Sequence, residues 1–310
     1  MDILIYEQEL KNKKQLVFKE SQGKTDIYQI RSQNILNKAT GFIDAYDFTL
    51  NPYRGCQYGC SYCYAAAFSP DRDKRQNWGQ WVVVKENAGE ILAKELTRWQ
   101  NKHQNRPATI YMSSVTDPYQ PIEAKQQLTR ELLTVMLQFQ PTLVIQTRSP
   151  MIVRDMDLLG QFQRLRINLS IPTGSEVVKK DFEPRSPSIK SRLQTISKLR
   201  YGLANNNHHD IRFAVTITPL LPTLERDVNN FIRKLTVVDR IVLQEFHASN
   251  KKSLVASTRE EAIALKSKYN WWYQNEKQSY QQFKQNLSQQ LQAWSVNVEI
   301  KEGKAGFGYD

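Results

Sequence analysis

Cysteine is almost missing from this chain: 310 residues carry only three. An odd count cannot pair fully into disulfides, and residues 1–7 lack the basic and apolar regions of a secretory signal. A disulfide-stapled secreted fold is therefore not expected. Histidine is scarce as well, at four residues. No apolar run approaches the roughly 18 residues that a membrane-spanning helix needs, so no membrane partner and a cytoplasmic location are expected. There is no internal repeat at fixed period and no disordered low-complexity run, although glutamine is abundant over residues 274–292.

What is present concentrates in one place. Cys56, Cys60 and Cys63 are the three cysteines, and they lie together in Asn51-Pro-Tyr-Arg-Gly-Cys-Gln-Tyr-Gly-Cys-Ser-Tyr-Cys-Tyr64. A C-x3-C-x2-C spacing puts soft thiolate ligands on one short loop, where they can converge on one metal centre. Iron–sulfur and structural zinc sites usually take four protein ligands, so three leave an open position where chemistry can occur. Three readings stand side by side: buried structural cysteines, a zinc site completed by His103, His208, His209 or His247, and a cubane iron–sulfur cluster with one iron free for a small ligand. The second half of a zinc knuckle does not appear.

The bulk composition is that of a globular protein, with 40% hydrophobic and 24% charged residues. A mass of 36.2 kDa allows one large barrel or two ordinary domains. Forty-three basic against 31 acidic residues leave a net charge of +12. That excess favours a polyanionic partner, DNA or RNA above all, through phosphate contacts.

Residues 1–40 read as an N-terminal extension, with a strand pair and a loop. Over residues 41–250 short β-branched runs alternate with amphipathic segments. Strands are expected at 48–51, 109–114, 142–147, 167–171, 211–218 and 241–246, with helices at 89–104, 128–139, 156–163, 188–204 and 224–235. Such alternation predicts parallel strands joined by right-handed crossovers, and six units suit an α/β partial (β/α)6 TIM-type barrel rather than a full eight-unit one. Residues 251–310 form a C-terminal helical segment and tail: helix over 259–294, a short strand at 296–300, and a tail over 303–310 that is flexible by composition. Trp271, Trp272, Tyr273 and Tyr280 are read as packing this segment onto the barrel, the alternative being stacking on nucleobases.

A cysteine loop after the first strand of such a series, with the aromatic Tyr62 just before its last cysteine, resembles the signature of the radical S-adenosylmethionine (SAM) enzymes. Thr116-Asp-Pro-Tyr-Gln-Pro-Ile-Glu123, Arg154-Asp155, Glu183-Pro-Arg-Ser-Pro187 with Arg192, and Pro219 with Pro222 resemble the spore photoproduct lyase-like (DNA-repair-photolyase-like) branch. The resemblance implies a [4Fe–4S] cluster on Cys56, Cys60 and Cys63, with SAM on the open iron. It also implies reductive cleavage of SAM to a 5′-deoxyadenosyl radical that takes hydrogen from a substrate. A reductant such as flavodoxin or ferredoxin would then be a partner.

Residue by residue, the resemblance and the strand-end positions nominate Tyr62, Asp117, Glu123, Arg148, Ser170, Glu183 and Arg192 as cofactor-binding. Barrel enzymes place ligand contacts at the carboxyl ends of their strands. Arg148 stands where relatives commonly carry Lys; it keeps the cation and is expected to pair with the SAM carboxylate. Glu183 and Arg192 are alternatively a surface ion pair. His247, at the end of the sixth strand, is a candidate substrate contact. Spore photoproduct lyase resembles an enzyme that uses an extra cysteine outside the cluster, and this chain has none. A second reading remains, a non-catalytic nucleic-acid-binding protein with a structural metal site.

Overall fold

A computed structural model describes residues 16–69, 71–204, 210–246 and 260–310. His208, His209 and His247 lie outside the described residues. Eight strands form the main sheet: β3 (Leu36–Lys38), β4 (Phe48–Leu50), β7 (Thr109–Met112), β8 (Thr142–Thr147), β9 (Arg164–Ser170), β10 (Asp210–Ile217), β11 (Arg240–Leu243) and β12 (Glu299–Glu302). Their spatial order is β12-β11-β10-β9-β8-β7-β4-β3. From β4 to β12 every pairing is parallel, and only β3 runs antiparallel to its neighbour. The six expected strands are β4 and β7 to β11. The sheet has the partial-barrel form with its two edges unjoined, and β12 adds a further parallel strand after β11.

Alternation along each strand divides the residues by chemistry. Ile110, Ile145, Ile167, Val215 and Ile241 face outward into one continuous apolar core with the covering helices. The longest of these are α1 (Ala88–Lys102), α2 (Leu128–Leu137), α3 (Ile189–Gly202), α4 (Glu225–Lys234) and α5 (Glu276–Ala293). Leu92 and Leu96 of α1, and Leu132 and Met136 of α2, recur at four-residue spacing and are buried there, as an amphipathic helix requires. The helix expected at 156–163 is instead a 3-10 turn, Pro150–Asp155, followed by one α-turn, Met156–Leu159. Ser149 caps it and Pro150 starts it early, because proline suits the first helical turn.

A second sheet, β1-β2-β6-β5, carries the metal-candidate loop. β1 (Val17–Gln22) and β2 (Thr25–Ile30) form the expected strand pair, and β2 runs parallel to β6 (Trp81–Lys85). β5 (Tyr53–Gly55) lies antiparallel to β6 and ends one residue before Cys56.

The tail departs from expectation. Gly303–Phe307 is helical and Tyr309 is buried. Arg166 donates to the carbonyls of Phe307 (3.0 Å), Gly308 and Tyr309 (3.1 Å), and Arg240 donates to that of Gly308 (2.7 Å). A glycine-rich composition predicts flexibility only while backbone carbonyls have no better partner than water. Here buried guanidinium groups at the amino ends of β9 and β11 hold them, closing that end of the barrel. Of the four C-terminal aromatics, Trp272 and Tyr280 are buried, Tyr273 is half-buried and Trp271 is exposed. Trp272 meets Phe246 edge-on at 5.1 Å.

Candidate metal centre

Two consecutive turns shape the cysteine loop: Gly59 N–H donates to the Cys56 carbonyl at 3.2 Å, and Cys63 N–H to that of Cys60 at 3.1 Å. The first turn needs glycine, because Gly59 has φ +55. Gly79, at φ +97, meets it back to back, and a Cβ there would sit 2.7 Å from the Gly59 Cα. The loop is then tied from several sides. Gln57 N–H donates to Gln120 Oε1 (2.8 Å), Ile122 N–H to Gln57 Oε1 (2.6 Å), and the Tyr58 hydroxyl to the Tyr119 carbonyl (3.1 Å). Arg185 donates to the carbonyl of Gly79, and Ser61 N–H to that of Phe182 at 2.9 Å.

Cys56 and Cys60 are buried and Cys63 is half-buried. Burial pushes the Cys56 thiol well above its ordinary range. Burial likewise raises Cys60 to about 12, against the opposing pull of the Arg148 guanidinium. Such thiols stay protonated until a metal displaces the proton into solvent, so metal binding and deprotonation are linked. The donors around the sulfur fit a thiolate-bound cluster. Arg148 Nη1 stands 2.9 Å from Cys60 Sγ, and Ser186 Oγ stands 3.8 Å from it. Hydrogen bonds to cluster sulfurs are a usual outer-shell feature.

Behind Cys60 lies a buried ionic chain. The Glu183 carboxylate accepts from the Tyr62 hydroxyl and pairs with Arg148, whose Nη1 is 3.2 Å from the same Tyr62 oxygen. On its other side Arg192 Nη2 lies 2.6 Å from Glu183 Oε2, with both side chains fully buried. Arg192 is anchored in turn, donating to the Ser170 carbonyl (2.9 Å) and to the Pro187 carbonyl (3.0 and 2.9 Å). Burial would raise the Glu183 carboxyl, but Arg192 and Arg148 together hold it below the usual range. The alternative of a surface pair for Glu183 and Arg192 is thereby overturned.

Arg148, Tyr62, Glu183, Arg192 and the Ser170 carbonyl thus form one chain of contacts that starts at Cys60, although they come from five separate segments. Asp117 is one contact away. It accepts from Tyr119 N–H (2.9 Å), the Thr147 hydroxyl (2.7 Å) and Arg148 N–H (2.9 Å), and burial lifts its carboxyl above the ordinary range. Glu123 lies in a different knot. It accepts from the Tyr53 hydroxyl, from Thr129 N–H (2.9 Å) and from Arg154 Nη2 (2.7 Å), while Arg154 also pairs with Asp155. His103 stacks on Trp99 at 3.8 Å at the end of α1.

Several residues that hold the loop carry little or no local signal. Gln57 and Gln120 act through their side-chain amides, and Gly79 matters only because Gly59 approaches it. Arg185 and Ser186 lie inside the Glu183–Pro187 motif, which would have pointed to them. The β-branched run of β6 is an ordinary strand signal that lies outside the six expected strands.

Residues 50–235 match the Radical SAM superfamily family profile. An uncharacterised protein of Methanocaldococcus jannaschii is 35% identical over 65% of this chain and 70% of its own length. One of Mycobacterium tuberculosis is 27% identical over 64% of this chain and 56% of its own. Spore photoproduct lyase complexed with dinucleoside spore photoproduct shares the fold at a TM-score of 0.51 and 16% identity, over 71% of this chain and 61% of that one. Streptococcus suis SuiB bound to S-adenosylmethionine does so at 0.52 and 10%, over 82% and 49%. The chain therefore spans roughly half to two thirds of most of the proteins it matches. Among the described residues no helix is long and apolar enough to cross a membrane. On the sequence match over residues 50–235, this chain belongs to the radical SAM superfamily and is an enzyme of that type.

Proposed function

We propose that Cys56, Cys60 and Cys63 bind a [4Fe–4S] cluster and that Asp117, Ser170, Glu183 and Arg192 shape the pocket for SAM beside it, closed by Tyr62. The observation that carries this is the buried Tyr62–Glu183–Arg192 chain packed behind Cys60 at the carboxyl ends of β8 and β9. When bound, this pair of cofactors supplies a 5′-deoxyadenosyl radical that takes a hydrogen atom from a C–H bond. The chain's own residues bind and orient. Glu183, held ionised between two guanidinium groups, keeps the Tyr62 hydroxyl turned inward, and the bracing of the loop by Gln57, Gln120 and Arg185 keeps water out. Glu123 supports the pocket from outside it, through Arg154 and the segment that carries Asp117.

For the substrate we favour a nucleic acid, on the net charge of +12. A spore photoproduct lyase of similar fold holds a dinucleoside spore photoproduct, whereas SuiB has been seen with its precursor peptide SuiA. A one-electron donor of the flavodoxin or ferredoxin class, in a reducing cytosol, completes the reading. A purely structural metal site gives no reason for burying two arginines against one carboxylate beside the thiols.

Anaerobic reconstitution is expected to give about four iron and four sulfide per chain, and reduction with dithionite in the presence of SAM to release 5′-deoxyadenosine. Cys60→Ala should lose the cluster. A colourless protein with one zinc, inert towards SAM after reduction, would sink the proposal.

A further inference from the structure

The Arg148 guanidinium is not poised for a ligand; it is already committed. Its Nη1 lies 2.9 Å from Cys60 Sγ and also pairs with Glu183. Its own backbone N–H donates to Asp117 Oδ2 at 2.9 Å, and its Nε lies 3.9 Å from that same oxygen. Glu183 cannot follow a moving arginine, because Arg192 holds its other oxygen and the Tyr62 hydroxyl donates to the oxygen that Arg148 pairs with. The Arg148 side chain is 17% exposed. Swinging it towards a carboxylate ligand would strip two buried carboxylates of a partner, a costly move in a dry site.

We infer that Arg148 serves the cluster rather than SAM: it is a positioning residue that holds an N–H donor and a positive charge against the Cys60 sulfur and so makes the cluster easier to reduce. This rests on the cluster reading above. The physical basis is simple. Reduction adds one electron, supplied by the one-electron donor, and spreads negative charge onto the thiolate sulfurs. A fixed cation and a charge-assisted hydrogen bond stabilise the reduced state more than the oxidised one, which raises the potential. Asp117 and Glu183 set the direction of the donor, so the effect does not wait for a substrate.

The test is a redox titration of the reconstituted full chain, followed by electron paramagnetic resonance in the absence of SAM. Arg148→Gln should shift the reduction equilibrium at least tenfold towards the oxidised cluster, about 59 mV for one electron. Arg148→Lys should keep most of the wild-type potential. If Arg148→Gln loads iron and titrates with the wild type while SAM affinity falls, the inference is overturned and the cluster reading stands. If Arg148→Gln does not load, wild-type protein labelled with ¹⁵N in the arginine guanidinium decides: pulsed resonance should show a ¹⁵N coupling to the reduced cluster, and its absence overturns the inference. A wild-type protein that binds no cluster overturns both.

Discussion

Arg192 and Glu183 form an ion pair at 2.6 Å in which neither side chain touches solvent. Arg192 reaches it from α3, and its remaining N–H groups go to the carbonyls of Ser170 and Pro187. The pair is thus a fixed strut between the end of β9 and the loop that carries the Glu-Pro-Arg motif.

Removing Arg192 leaves one oxygen of the buried Glu183 carboxylate without its cation, with Arg148 and Tyr62 on the other. Arg192→Met is expected to cost about 3–5 kcal/mol of stability. Glu183→Gln in the same chain should recover part of that loss, since the neutral side chain no longer needs the cation. Urea denaturation of the two single variants and the double variant measures the recovery; additive losses would contradict a coupled pair.

The contact between Gly59 and Gly79 predicts a site-selective failure. Gly79→Ala meets the Gly59 Cα at 2.7 Å and must also hold φ +97, a cost of about 1–3 kcal/mol. The strain falls on the cysteine loop, not on the core of the main sheet. Iron content after reconstitution should drop sharply while far-ultraviolet circular dichroism stays near the wild type.

Asp47 gives a pH-dependent contribution to stability. Burial would raise its carboxyl, but hydrogen bonds from Arg106 and from the Thr109 backbone and hydroxyl outweigh this and bring it below its ordinary value of 3.8. A carboxylate lowered in the folded state contributes stability that is complete above the unfolded value and lost as pH falls through the folded one. The Tm of the wild type should therefore fall below about pH 4, and Asp47→Asn should be less stable at neutral pH with a shallower loss in acid. A parallel pair of Tm–pH curves would refute it.

At the other end of the barrel, Arg166→Met should free the tail. It removes the donors to the Phe307 and Tyr309 carbonyls and leaves the Gly308 carbonyl to Arg240 alone, a cost of about 2–3 kcal/mol. Limited proteolysis should then nick the 303–310 segment in the variant before the wild type. Equal rates would mean that other contacts hold the tail.

Much of this was visible in one dimension. Strand runs at 109, 142, 167, 211 and 241, each followed by an apolar stripe at helical spacing, specify a parallel sheet with helices outside because both periodicities are local. The thiol spacing is local too. Asp117 and Glu123 read alike in the chain, as acidic groups on one rigid turn, yet one braces Arg148 and the other is drawn into the Tyr53–Arg154–Asp155 knot. No local pattern separates them, since each is placed by a partner from another strand.

The same division runs through the whole molecule. Three thiols at C-x3-C-x2-C spacing, the alternation of β and α segments and the excess of positive charge follow from covalent order and side-chain chemistry, and they hold in any conformation. Which cation stands on which sulfur does not. Arg148 is 88 residues from Cys60, and Arg192 joins Glu183 only because β9 and α3 pack where they do. Buried charges take the partner that folding delivers, and the long-range register of parallel strands decides that delivery.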